Sequence, residues 1–116
     1  MEMAEKKYKV VHRDGVEKQL RKDIVSEKFT RDDLIVLQEW RQQIEAFGPG
    51  HIRNEKRWLD IDETKGKYMG YRSSSLGVLG KRIVYDTQGA EITILEVVAI
   101  DPEYYEDKTT TQKDGK

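Results

Sequence analysis

The chain of 116 residues contains no cysteine, two prolines and two histidines. Without thiols, disulfide frameworks, thiolate zinc sites and cysteine nucleophiles are all excluded. No apolar run approaches the roughly 20 residues that span a bilayer. The start, MEMAEKKYKV, is acidic and mixed in sign and lacks the apolar stretch of a secretory signal. The expectation is a cytoplasmic protein with no membrane partner. One domain is expected, because domains commonly run to roughly 100–150 residues. A hydrophobic share of 36% against a charged share of 37% describes a modest core under a dense charged surface.

The net charge of −1 hides an uneven distribution. Residues 51–82 hold 8 Lys and Arg against 4 Asp and Glu, whereas residues 83–116 hold 3 against 8. Local cation density attracts a polyanion, so the middle segment is where an RNA backbone would be drawn. The alternative is a solvated loop rich in Lys and Arg.

Tyr8-Lys9-Val10-Val11-His12 is short and β-prone. Asp14-Gly15-Val16-Glu17 has capping-box spacing and predicts a helix with Val16, Leu20 and Ile24 on one face. Thr30 is placed to cap a second helix, with Asp32 and Asp33 on its dipole and Leu34, Leu37, Ile44 and Phe47 at helical spacing. Gly48-Pro49-Gly50 should end it. Beyond that point the period becomes two. Trp58–Ile61, Lys67–Arg72, Arg82–Tyr85 and Glu91–Ile100 read as strands, with Ser73-Ser74-Ser75 and Leu76–Gly80 as connections and Asp86–Ala90 as a hairpin loop. The fold class is therefore α+β, with an N-terminal strand and a helical hairpin packed on a mainly antiparallel four-stranded sheet. Residues 1–7 are expected to be a flexible N-terminus, 8–107 a single domain and 108–116 a disordered tail.

The element order, with Gly70-Tyr71-Arg72, Gly80-Lys81-Arg82-Ile83-Val84-Tyr85 and Ile92-Thr93-Ile94-Leu95-Glu96-Val97-Val98, resembles the RelE/ParE superfamily of bacterial toxins over roughly residues 8 to 106. That resemblance implies the toxin of a toxin–antitoxin pair, inactivated by a cognate antitoxin protein. RelE-like members cut messenger RNA on the ribosome; ParE-like members act on DNA gyrase. Fold alone does not choose between them. RNA cleavage by its own 2′-hydroxyl needs a group to take that proton, a cation at the phosphorus and a donor for the departing 5′-oxygen. It requires no metal or other cofactor.

By the resemblance, Arg82 matches the arginine that relatives hold beside the scissile phosphate, and a guanidinium can donate to two phosphate oxygens at once. Arg72 on the neighbouring strand is expected to face the same groove. Lys65 and Lys67 stand where relatives place lysines, while Tyr68 and Gly70 replace a lysine pair. Lys81, Arg53 and Arg57 complete the expected RNA-binding set. His51, in the helix-to-sheet connection, could move a proton near neutral pH, or simply be solvent-exposed. Tyr104 or Tyr105 matches a terminal tyrosine that can stack on a base or orient the attacking hydroxyl. The segment Asp101-Pro102-Glu103-Tyr104-Tyr105-Glu106-Asp107 departs from the basic ending of ribosome-dependent relatives, and its carboxylates would repel a phosphate.

The leading expectation is a ribosome-dependent mRNA endoribonuclease that inhibits translation, its Arg72 and Arg82 converging in one hollow. The alternatives are a ParE-like toxin that binds gyrase and a degenerate member that only binds antitoxin.

Overall fold

A computed structural model describes residues 8–76 and 80–99. The elements are β1 (Lys9–His12), α1 (Val16–Val25), α2 (Arg31–Phe47), α3 (Pro49–Asn54), β2 (Ile61–Asp62), β3 (Arg72–Ser75), β4 (Lys81–Gln88) and β5 (Glu91–Ala99), with short 3-10 turns at Lys56–Trp58 and Gly66–Tyr68. The five strands form one sheet in the order β1-β5-β4-β3-β2. β1 runs parallel to β5, and the other pairs are antiparallel. The α+β class holds, and the sheet has five strands where four were expected because the N-terminal strand β1 joins it beside β5.

The second helix follows the expected chemistry at its start. Thr30 Oγ1 accepts from the Asp33 backbone N–H at 3.2 Å, and the Asp33 carboxylate accepts from the Thr30 N–H at 2.9 Å. This capping box satisfies two donors that the first turn would otherwise leave unpaired. The first helix differs. Its N-cap is Gly15 in left-handed conformation, with no side-chain cap, so Asp14 does not close it. Gly48 ends α2 as expected, but the chain re-enters a helix at once, with Pro49 in the first turn of α3. Proline cannot continue a helix yet suits its start. Gly48 sits at φ +92, and a Cβ there would lie 2.8 Å from the Tyr8 ring.

The core lies between α2, α3 and one face of the sheet. Trp40, Ile44, Ile52, Trp58, Ile83, Tyr85, Ile92 and Ile94 are fully buried in one cluster. Along α2 the buried apolar positions are Leu37, Trp40 and Ile44, so the stripe centres on Trp40. Phe47 turns outward and is 65% exposed.

Three strand boundaries need correction. Trp58 belongs to a 3-10 turn and drives its indole into the core, donating Nε1–H to Gln43 Oε1 at 3.0 Å. Leu59 then adopts φ +44, which breaks the period-two pattern before Asp60. The second correction concerns the serine run, which is a strand and not a loop. Lys67 and Tyr68 lie in the preceding turn, and β3 begins only at Arg72. Serine reads as a turn former because its hydroxyl competes for backbone groups; here the Ser73 and Ser74 hydroxyls each have side-chain partners. In the hairpin, Asp86, Thr87 and Gln88 extend β4, leaving Gly89-Ala90 as the turn. Residues 1–7, 77–79 and 100–116 lie outside the described residues, so the expected flexible N-terminus and disordered tail fall there.

Removing the cap tests this assignment. Thr30→Ala should lower stability by about 1 kcal/mol, read as a lower urea midpoint at unchanged slope.

Candidate functional site

Successive side chains on a strand point to opposite faces, and in β3 this separates two polar networks. Arg72 pairs with Tyr85 and Ser74 with Ile83, on the face packed against the helices. Ser73 pairs with Val84 and Ser75 with Arg82, on the open face away from them. Arg72 and Arg82 therefore project to opposite sides of the sheet, and the expected common hollow does not form.

On the helical face the centre is Asp60, whose side chain is 0% exposed. It accepts from Arg72 Nε at 2.6 Å, from Ser74 Oγ at 2.6 Å and from Tyr85 Oη at 2.6 Å. Ser74 Oγ also accepts from Trp40 Nε1 at 2.9 Å, and the Trp40 and Tyr85 rings meet edge-on at 5.1 Å. Arg72 reaches Asp62 with its other branch. Burial disfavours the charge on Arg72, but its hydrogen bond and attraction to Asp60, with Asp62 and Tyr85, hold its pKa above the ordinary arginine value. Burial first, and the Asp60 charge second, push the Tyr85 phenol up. Two carboxylates neutralise Arg72, so it is an internal cation.

On the open face Arg82 is 8% exposed. Its Nε donates to Ser73 Oγ at 3.0 Å, and its Nη2 donates to the Ser73 and Leu59 carbonyls at 2.8 Å each. The same Ser73 hydroxyl donates to Glu63 Oε2 at 2.7 Å. A guanidinium and a carboxylate thus share one buried hydroxyl. Glu63 was missed by the sequence reading; its position one residue past an edge strand carries no local signal, and only the register brings it to Ser73. The 62–72 connection also carries Tyr68, whose hydroxyl donates to Glu96 Oε1 at 3.1 Å. Lys67 Nζ lies 5.2 Å from the Tyr68 ring centroid.

The remaining expected residues are dispersed. Lys81 turns to the helical side and pairs with Asp33 at 2.6 Å, above the Phe29 ring. Arg57 stacks on Trp58 at 4.3 Å and pairs with Glu39. His51 is on α3, not in a loop; its ring rests on Phe47 at 4.9 Å and faces Glu55 at 3.8 Å. Arg53 is exposed on the same short helix, and Lys65 is exposed in the 62–72 connection. Tyr104 and Tyr105 lie outside the described residues. Of the expected set, the fold brings Arg82 and Lys67 to the open face and leaves Arg72, Lys81, Arg57 and His51 elsewhere. Among the described residues no group of His, Asp and Glu could hold a metal ion, and no helix is long and apolar enough to cross a membrane.

A separate hollow of about 340 Å³ lies between α1 and α2, with Leu20, Ile24, Leu34 and Leu37 at its floor and Arg21 and Arg41 beside them. His12 borders it. Burial first, and Arg41 second, lower the His12 pKa from its ordinary 6.5, against a smaller opposing pull from Glu17.

No family model and no curated protein matches the chain. Solved structures do. The chain superposes on the archaeal RelE–RelB complex from Pyrococcus horikoshii with a TM-score of 0.57 at 19% identity, covering 80% of this chain and 94% of that one. For the YoeB–YefM complex of Staphylococcus aureus the TM-score is 0.56 at 14% identity, with coverages of 78% and 93%. For the Escherichia coli DinJ–YafQ toxin–antitoxin complex the corresponding values are 0.57, 10%, 80% and 92%. The architecture is therefore the fold of RelE-like toxins.

Two outcomes follow from these geometries. Asp60→Ala strands three donors, one of them a guanidinium, and should cost about 3–5 kcal/mol in urea unfolding. The folded state prefers neutral His12, so its contribution is present above the unfolded value and is lost as pH falls below 6.5. His12→Gln should therefore flatten the loss of stability between about pH 7.5 and about pH 5.

Proposed function

We propose that this protein is the toxin of a toxin–antitoxin pair, bound by a protein antitoxin, and that it inhibits translation by cutting messenger RNA on the ribosome. The observation that carries the reading is the Glu63–Ser73–Arg82 cluster on the open face of a fold that spans 92–94% of the solved toxins it resembles. The chemistry assigned to it is transfer within the RNA. The 2′-oxygen attacks the adjacent phosphorus, the bond to the 5′-oxygen breaks, and a 2′,3′-cyclic phosphate and a 5′-hydroxyl result. Glu63 is the proton acceptor, and Arg82 donates to the phosphate oxygens as negative charge grows on them. Tyr104 or Tyr105 is assigned to base stacking or proton donation. Arg72 is dropped from the site because Asp60 and Asp62 hold it on the other face.

The antitoxin is assigned the hollow between the two long helices, where apolar side chains flanked by Arg21 and Arg41 suit an amphipathic segment with acidic residues.

A second reading has its own support. Three internal acceptors hold Arg82 and two carboxylates hold Arg72, which is what a member that keeps the fold and the antitoxin surface without catalysis would show. Induced expression separates the two. A ribonuclease arrests growth and cuts message only on programmed ribosomes, and folded Arg82→Ala, checked by circular dichroism, loses that cut by about 100-fold or more. Normal growth on induction supports the non-catalytic reading, whereas arrest with intact message directs the work to a gyrase supercoiling assay.

A further inference from the structure

β5 outruns its outer neighbour. β1 pairs only with residues 91–94, whereas β5 continues to Ala99. Beside the remainder lies α1, and a helix, whose backbone groups are paired within it, cannot extend a ladder. A polar cleft of about 350 Å³ opens there, between Gln19 and Asp23 of α1, Lys28 beyond that helix, the Lys67–Tyr68 turn and the end of β5. Val98 pairs with Arg82 and Glu96 with Val84, so both side chains stand on the open face. Cross-strand partners have Cβ atoms about 5 Å apart, and Val98 thus brings the cleft to within one strand of Arg82.

The charges of the cleft are sorted by depth. Asp23 is 6% exposed and accepts from Gln19 Nε2 at 2.9 Å. Glu96 is half-buried, and its Oε1 accepts from Tyr68 Oη at 3.1 Å. A carboxylate offers about four lone-pair sites, so Tyr68 orients Glu96 and leaves it acceptor capacity for a ligand. Lys28 and Lys67 are exposed at the rim, with the Lys67 ammonium 5.2 Å from the Tyr68 ring centroid. Neither lysine forms an ion pair with a described residue.

We propose that this cleft is a subsite for one guanine nucleotide of an RNA strand, in which Glu96 accepts from the base and Lys28 and Lys67 hold the phosphate. The assignment rests on the reading of the open face as the place where RNA lies, and gives that face a base preference. Guanine presents two adjacent donors, N1–H and the N2 amino group, and one carboxylate can accept from both. Adenine and cytosine place an acceptor nitrogen beside their amino group, and uracil flanks its N3–H with two carbonyls. Each of these sets a lone pair against the Glu96 oxygens, which costs more than the missing hydrogen bond alone. The volume lies in the range of clefts that hold small ligands, about 300 Å³ and upward. Two ammonium groups at its mouth act on a phosphate as point charges, and they serve any base equally.

The test titrates 5′-GMP, AMP, CMP, UMP and inorganic phosphate into the 15N-labelled full chain and follows the backbone N–H signals. GMP should shift residues 67–68 and 96–98 saturably and bind about tenfold or more tighter than the other four. Glu96→Gln keeps an oxygen for the Tyr68 hydroxyl but replaces the other with an amino group, so GMP should fall to the level of AMP. Lys28→Ala and Lys67→Ala should weaken all four nucleotides alike, by about two- to fivefold each. Equal binding of the four nucleotides, phosphate as tight as GMP, shifts centred elsewhere, or a GMP preference that survives Glu96→Gln overturns the subsite. Cleavage on programmed ribosomes is read in parallel, and a preference for guanine beside the cut should be lost in Glu96→Gln. GMP preference with uncut message keeps the subsite and rejects the ribonuclease; cut message without GMP preference does the reverse.

Discussion

Period-two alternation along Arg72-Ser73-Ser74-Ser75 is the constraint on which the rest of the site depends. Each step of that strand assigns a polar side chain to one face or the other, and the assignment decides which charges can meet. Ser74 and Arg72 fall on the helical face, where Asp60 collects a guanidinium, a serine hydroxyl and a phenol. Ser73 falls on the open face, where it joins Glu63 to Arg82. A slip of one residue would turn Arg72 and Ser74 to the open face and take from Asp60 two of its three donors. Register is therefore fixed by polar satisfaction as well as by hydrophobic burial.

The two networks are linked through adjacent residues. Asp60 is anchored on the helical face, and the carbonyl of Leu59 immediately before it accepts from Arg82 on the other. Leu59 takes a left-handed conformation uncommon for a branched residue, and this bend lets one peptide serve both sides of the sheet. Arg72 thus bears on the open face indirectly. Its pull on Asp60 helps hold the segment whose carbonyl orients Arg82, which is a different role from gripping a phosphate.

Charge density in the sequence overstated what the surface offers a polyanion. The middle of the chain is rich in Lys and Arg, but Arg72, Lys81 and Arg57 are each paired with a carboxylate. Lys81 illustrates why. It precedes Arg82 on β4 and so must point to the opposite face, where Asp33 at the start of α2 receives it. Burial raises the pKa of Asp33, and the hydrogen bonds from Lys81 and Thr30 outweigh that to bring it below its ordinary value. Among the described residues, the side chains that meet around the Ser73 and Tyr68 hydroxyls, Arg82, Glu63 and Glu96, are of mixed sign and do not form a basic patch.

Local sequence determined the elements whose signals are local. The Thr30 capping box, the helical spacing of Leu37 and Ile44, and the alternating apolar residues of β4 and β5 all act within a few residues of one another, so they are legible without knowing the fold. The order of elements was enough to place the chain in the α+β class. Tertiary structure decided what depends on partners distant in sequence. A serine run becomes a strand only when Trp40, Asp60, Glu63 and Arg82 arrive to satisfy the Ser73 and Ser74 hydroxyls, and two arginines ten residues apart become opposite or adjacent only when the pairing register is set. Side-chain direction is a property of the assembled sheet, and for that reason the candidate site could be named from the sequence only in part.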